Sequence, residues 1–75
     1  MIPQEELDRF VLTYTEALAC AGEGRAVRGY LLLKEGLRSV QESSDPWKGA
    51  LQELWLSGLR RLQEQYPADW YPVAE

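Results

Sequence analysis

The sequence contains no histidine and a single cysteine among its 75 residues. Histidine is a frequent acid–base catalyst near neutral pH and the commonest metal ligand, so its absence weakens most enzyme classes and most metal sites. A single cysteine cannot form a disulfide within one chain. We interpret Cys20 as a small, semi-buried apolar residue near the end of a helix. We therefore expect a protein that is not an enzyme, with no catalytic residue, no metal site and no cofactor.

Long apolar runs are missing too. No segment approaches the roughly 18 to 20 apolar residues that a membrane-spanning helix needs, and residues 1–6 lack the basic and apolar regions of a secretory signal peptide. These absences predict a cytoplasmic protein without a membrane span.

Positive charge is scarce, with 8 Lys and Arg against 12 Asp and Glu and a net charge of −4. Nucleic-acid affinity comes mainly from Lys and Arg that neutralise phosphates, and the pairs Arg25/Arg28 and Arg60/Arg61 are interspersed with acids. Nucleic acid is therefore not an expected partner. The same arginines also interrupt the continuous negative face that a nucleic-acid mimic would need.

Small size makes stability the central problem for this chain. A chain of this length buries only about 60 to 65% of the surface that its unfolded form exposes, although 45% hydrophobic residues predict a compact core. Because disulfides and metal sites are not expected, oligomerisation is the remaining way to stabilise such a small scaffold.

Three segments have apolar residues spaced three and four apart, the pattern of amphipathic helices. The first helix should begin at Pro3 and end at Gly22 as its left-handed stop, and the second should run from about Arg25 to Val40 or Gln41. The predicted buried stripes are Leu7, Phe10, Val11, Tyr14, Leu18 and Ala21, then Ala26, Tyr30, Leu33, Leu37 and Val40, then Trp47, Leu51, Leu54, Trp55, Leu59, Leu62 and Tyr66.

The third helix has the best local start signal. Ser44 or Asp45 can cap its first N–H groups, Pro46 suits its first position, and Pro67 should end it at Tyr66. The short turn after the first helix favours an antiparallel pair. We predict an all-α three-helix bundle over residues 1–66, an antiparallel hairpin plus a third helix, followed by an extended aromatic C-terminal tail over residues 67–75.

Two glycines lie inside the second helix. Gly29 and Gly36 each cost about 1 kcal/mol relative to alanine in a helix interior. We interpret them as sites of close approach to a neighbouring backbone. The alternative is that both are tolerated weak spots.

Several leucines exceed what the three stripes need. At about 100° per residue, four of them point away from or flank the stripes and should be exposed in a monomer: Leu12, Leu31, Leu32 and Leu56. Scattered surface leucines need no explanation, but an apolar patch marks an interface. We expect these residues to bind a protein partner through self-association or a docked helix, with a two-fold homodimer favoured as the commonest closed symmetry.

The tail presents Trp70 and Tyr71 between prolines. Large aromatic residues of this kind either fold back over the open end of a bundle or anchor a partner, because Trp and Tyr are enriched among interface hot spots. Both uses remain open.

The segments 22–26 and 30–37 resemble the second-helix region of microtubule-interacting and trafficking (MIT) domains. There, a Gly-containing turn precedes an Ala, an aromatic residue and a Lys-Glu-Gly-hydrophobic run, and the similarity covers Leu7 to about Tyr66. The same hairpin is similar to a single tetratricopeptide (TPR) unit, with Gly22 and Ala26 near its small positions. Both resemblances imply an adaptor that binds peptides or helices in grooves between its helices.

These observations predict a small non-catalytic protein–protein interaction module. An alternative hypothesis is a carrier of a small apolar ligand, in a pocket that the glycines of the second helix open and that Trp47, Trp55 and Tyr30 wall. Tyr14 or Tyr30 could supply the few polar contacts that such a pocket needs.

Overall fold

The computed structural model describes residues 2–67, which form three α-helices. These are α1 (Gln4–Gly22), α2 (Ala26–Gln41) and α3 (Lys48–Gln65). Each helix packs against the other two, and residues 2–67 contain no β-strand. The expected all-α three-helix bundle is confirmed. Trp70 and Tyr71 lie outside the described residues, so the use of the tail stays a prediction.

The core combines one stripe from each helix. Its largest fully buried side chains are Trp55, Leu33 and Leu62. The ring of Phe10 stacks on Tyr14 at a centroid distance of 5.5 Å and meets the edge of Trp55 at 5.0 Å, so α1 and α3 are joined by aromatic contacts. The core cluster comprises Ala17, Ala21, Tyr30, Leu33, Leu37, Val40, Leu51, Trp55, Leu59 and Leu62.

The buried side of α1 differs from the predicted stripe. Val11 was expected in the core but is 56% exposed, whereas Ala17 is fully buried. The cause is angular: Ala17, seven residues after Phe10, lies within about 20° of it around the helix, while Val11 is rotated by about 100°. Because α2 contacts the side of α1 that carries Ala17, a small residue is enclosed there and the flank that carries Val11 remains in solvent.

The turn between α1 and α2 differs from the prediction in which glycine takes the left-handed conformation. Gly22 is the last residue of α1, but the left-handed conformation falls on Gly24, at φ +85°. The N–H of Gly24 donates to the Ala21 carbonyl at 3.0 Å and that of Arg25 to the Cys20 carbonyl at 2.9 Å. Carbonyls of the last turn are thus satisfied before the chain reverses, so the positive φ is needed two residues later than predicted.

The start of α3 also differs from the prediction. Neither Ser44 nor Asp45 caps the helix, and α3 begins at Lys48, two residues after Pro46. The Asp45 carboxylate instead accepts the Ser43 hydroxyl at 2.8 Å, and the Asp45 N–H donates back to that hydroxyl at 3.1 Å. A local side-chain turn therefore occupies the carboxylate that was expected to cap the helix.

Candidate functional site

The candidate site is the outer surface of the α1–α2 hairpin. Val11 and Leu12 are adjacent on α1 and are 56% and 71% exposed, and Leu31 on α2 is 50% exposed. They are the large hydrophobic residues that residues 2–67 leave exposed. We call Val11, Leu12 and Leu31 the apolar surface residues.

Two of the four surplus leucines are more enclosed than predicted. Leu56 is half-buried and packs against the core cluster. Leu32 is half-buried and lines an open groove together with Arg9 and Thr13 of α1. The expectation that all four would be exposed in a single chain is therefore wrong for these two. Leu56 is about 100° from Trp55 around α3, which places it on a flank of the buried stripe and not on the far side of the helix.

An open groove lies between the side chains of α1 and α2 on this surface. It has a volume of about 620 Å³, and its lining includes Arg9 and Thr13 from α1, Leu32 and Glu35 from α2, and Trp55 from α3. We call it the hairpin groove. Its lining combines charged side chains with the apolar groups of Leu32 and Trp55, and such a mixture suits a contact with another amphipathic surface.

The two interior glycines of α2 explain how the hairpin packs. A Cβ atom on Gly29 would lie 2.5 Å from the backbone oxygen of Ala17, so the backbones of α1 and α2 approach closely at this point. A Cβ atom on Gly36 would instead overlap the indole ring of Trp55. The neighbour is thus a backbone at Gly29, as interpreted from the sequence, but a side chain of α3 at Gly36.

Charge is divided unequally between the two helices of the hairpin. α1 carries four acidic residues and one basic residue, a net charge of −3, and α2 carries one acidic and three basic residues, a net charge of +2. The acidic set of α1 is Glu5, Glu6, Asp8 and Glu16, and the basic set of α2 is Arg28, Lys34 and Arg38. This signal is present in the sequence but was missed, because the total charge of the chain conceals it.

Ion pairs within the chain leave these charges largely available to a partner. Arg9 lies 3.8 Å from Glu6, and Arg38 lies 3.8 Å from Glu42 with both side chains 73% exposed. Exposed pairs at this distance contribute little to stability. In the turn, the Glu23 carboxylate accepts a hydrogen bond from Arg25 and raises the pKa of its guanidinium, which leaves Arg25 charged.

Few groups at this surface could support chemistry or hold an ion. Cys20 is buried, and no cluster of three or more Cys, Asp and Glu side chains within residues 2–67 is placed to bind a metal ion. Within the same range, no helix combines the length and the apolar character that crossing a membrane requires.

Within residues 2–67, the aromatic rings that were expected to line one ligand pocket do not line a common cavity. Tyr30 and Trp55 belong to the packed core, at 4% and 1% exposure, whereas Trp47 is half-buried and lines a smaller cavity of about 170 Å³. Tyr14 lines another cavity of about 170 Å³, between α1 and α3.

Comparison with known proteins finds no match to this chain among family models, curated proteins or solved structures. The resemblance to MIT domains and to a TPR hairpin therefore stays a prediction.

Proposed function

We propose that this protein is a non-catalytic protein–protein interaction module that docks an α-helix on the outer surface of its α1–α2 hairpin. The observation that carries the proposal is the exposure of the apolar surface residues Val11, Leu12 and Leu31. The chain keeps these side chains in solvent although a complete core is formed by other residues.

A group of exposed aliphatic side chains differs in meaning from one exposed leucine. Full burial of an aliphatic side chain contributes about 1.5 to 3 kcal/mol, and a single exposed leucine on a soluble protein is ordinary. Leu12 on α1 and Leu31 on α2, with charged residues around them and a groove lined by both helices, correspond to the apolar centre and polar rim of an interface. The resemblance to adaptor families that bind helices supports the same proposal.

A photo-crosslinking amino acid at position 12 tests the proposal directly. The probe replaces the most exposed aliphatic side chain in residues 2–67, and the chain is irradiated both alone and in an extract of cells that express it. We expect covalent adducts that map to a defined helical segment, of this chain or of another protein. Mass spectrometry of the crosslinked peptides provides the measurement.

The matched control carries the same probe at position 64, where exposed Glu64 lies on α3. An interaction through the hairpin gives adducts from position 12 well above those from position 64. Equal, diffuse labelling from both positions would show that the hairpin surface has no preferred partner and would refute the proposed function.

A further inference from the structure

We infer that the docked partner is a second copy of this chain, placed so that α1 of each copy packs against α2 of the other. This inference rests on the proposed function and identifies its partner. It is based on the distribution of charge around the apolar surface residues.

The outer face of α1 is apolar at its centre and acidic on either side. Leu12 is flanked four residues away in each direction by Asp8 and Glu16, which places all three on one face of the helix. All three side chains are exposed, and the exposed Arg9, three residues before Leu12, lies 3.8 Å from Glu6, so this side of α1 stays net acidic. This face therefore suits an amphipathic helix with an apolar centre and basic neighbours.

The outer face of α2 has that composition. Leu31 lies three residues after Arg28 and seven residues before Arg38, so the three share one side of α2. All three are exposed, and the exposed Glu35, four residues after Leu31, shares this side, so the face carries two arginines against one glutamate and is net basic. The chain thus carries both an acidic face with a leucine and a basic face with a leucine, and the two are complementary.

The same charges disfavour the other symmetric arrangement. If α1 packed against α1 of a second copy, Asp8 and Glu16 would approach the acidic side chains of that copy. Like charges brought together in an interface repel each other. An α1–α2 contact replaces this repulsion with attraction.

Geometry allows both contacts to form at once. α1 and α2 form an antiparallel hairpin joined by the turn at residues 23–25. A two-fold axis parallel to the helices places α1 over α2 of the partner and α2 over α1 of the partner, and every neighbouring pair is then antiparallel. The interface closes on itself and yields a dimer.

The hairpin groove lies where such a dimer would need it. Arg9, one turn before Leu12, and Glu35, one turn after Leu31, both line the groove, so the groove reaches the helical turn next to each leucine. The half-buried Leu32 in its lining gives the partner's aliphatic side chains an apolar surface to contact. Association would also stabilise a scaffold too small to bury a large core.

Charge reversal on each helix tests the inference. The acid-reversed chain carries Asp8→Lys and Glu16→Lys, and the base-reversed chain carries Arg28→Glu and Arg38→Glu. Sedimentation velocity over about 5 to 200 µM should show a dimer for the native chain and at least about tenfold weaker self-association for each variant. An equimolar mixture of the two variants should form a heterodimer, because both α1–α2 contacts are then attractive. A chain with all four changes should recover the homodimer.

The control chain carries Arg60→Glu and Arg61→Glu on exposed positions of α3, with the same change in net charge as the base-reversed chain. It should associate as the native chain does. Circular dichroism of each variant checks folding, and the neutral pair Asp8→Asn and Glu16→Gln replaces the acid-reversed chain if that chain unfolds. Association should also weaken as salt rises, since attractive charge pairs are screened.

Four results would overturn the inference. A native chain that stays monomeric at 200 µM excludes a second copy as the partner. A base-reversed chain that still dimerises like the native one indicates an α1–α1 contact. Association that strengthens as salt rises indicates the same contact. Crosslinks from position 12 to a different protein, with a monomeric chain, would refute the second copy while leaving the proposed interaction module intact.

Discussion

The effect of replacing a glycine with alanine in this bundle depends on which atoms the added methyl group would contact. Gly29 faces the backbone of Ala17 across the α1–α2 contact, whereas a methyl group on Gly49, near the start of α3, would meet no neighbouring atom within 4 Å. The same substitution should therefore have opposite effects at these two positions, because helix propensity favours alanine at both and space permits it at only one.

Gly29→Ala is expected to destabilise the protein by up to about 2 kcal/mol. Alanine gains up to about 1 kcal/mol in helix propensity, but the helices must separate to admit the methyl group, and overpacking of this kind costs about 1 to 3 kcal/mol. A backbone neighbour cannot rotate away as a side chain can. Urea denaturation followed by circular dichroism measures the change in the free energy of unfolding.

Gly49→Ala serves as the matched control and should leave stability unchanged or raise it by up to about 1 kcal/mol. If Gly29→Ala is as stable as this control, the close approach of α1 and α2 at Ala17 is not a constraint on the fold.

At the scale of elements, the α1–α2 turn depends on a single left-handed residue. Gly24 has φ +85° and no atoms near its missing side chain, so the effect of substitution there comes from backbone conformation alone. Gly24→Ala should cost about 1 kcal/mol, because a Cβ atom is disfavoured in this conformation. Gly24→Asn should cost less, since asparagine tolerates the left-handed region. Equal losses for the two variants, measured by thermal unfolding, would contradict this account.

The existence and order of the helices could be predicted because their apolar periodicity is strong, but their ends could not be placed as well. Ser44 or Asp45 was expected to cap α3, yet neither does, and Ser43 competes for the Asp45 carboxylate. Gly22 was expected to take the left-handed conformation, which Gly24 takes instead. Both errors arise where two nearby residues can satisfy the same local requirement, and only the path of the chain decides between them.

The candidate site was predicted less well than the fold, for a related reason. Periodicity gives the angle of a residue around its own helix, but exposure depends on where the neighbouring helices lie. Val11 was assigned to the core and is exposed, whereas Leu56 was assigned to the surface and packs against the core. Leu12 was expected to point away from the buried stripe of α1 and Leu31 to flank that of α2, and both were placed correctly in solvent.

At the scale of the whole molecule, self-association and folding should be linked. A folded dimer that unfolds to two separate chains becomes more stable as concentration rises, because mass action opposes dissociation. A hundredfold increase in concentration favours the dimer by about 2.7 kcal/mol, or about 1.4 kcal/mol for each chain. For a domain of this size, that change corresponds to a rise of roughly 5 to 10 °C in the thermal midpoint.

We therefore expect the thermal midpoint of the native chain to rise with protein concentration and that of Leu12→Glu to stay constant. Leu12 is 71% exposed, so glutamate can be accommodated in the single chain, but in the α1–α2 contact it would remove the apolar centre. Gln65→Glu adds the same charge at an exposed position of α3 and should keep the concentration dependence of the native chain. A native midpoint independent of concentration between about 2 and 200 µM would mean that the chain folds and unfolds alone, and that its exposed leucines serve a different partner.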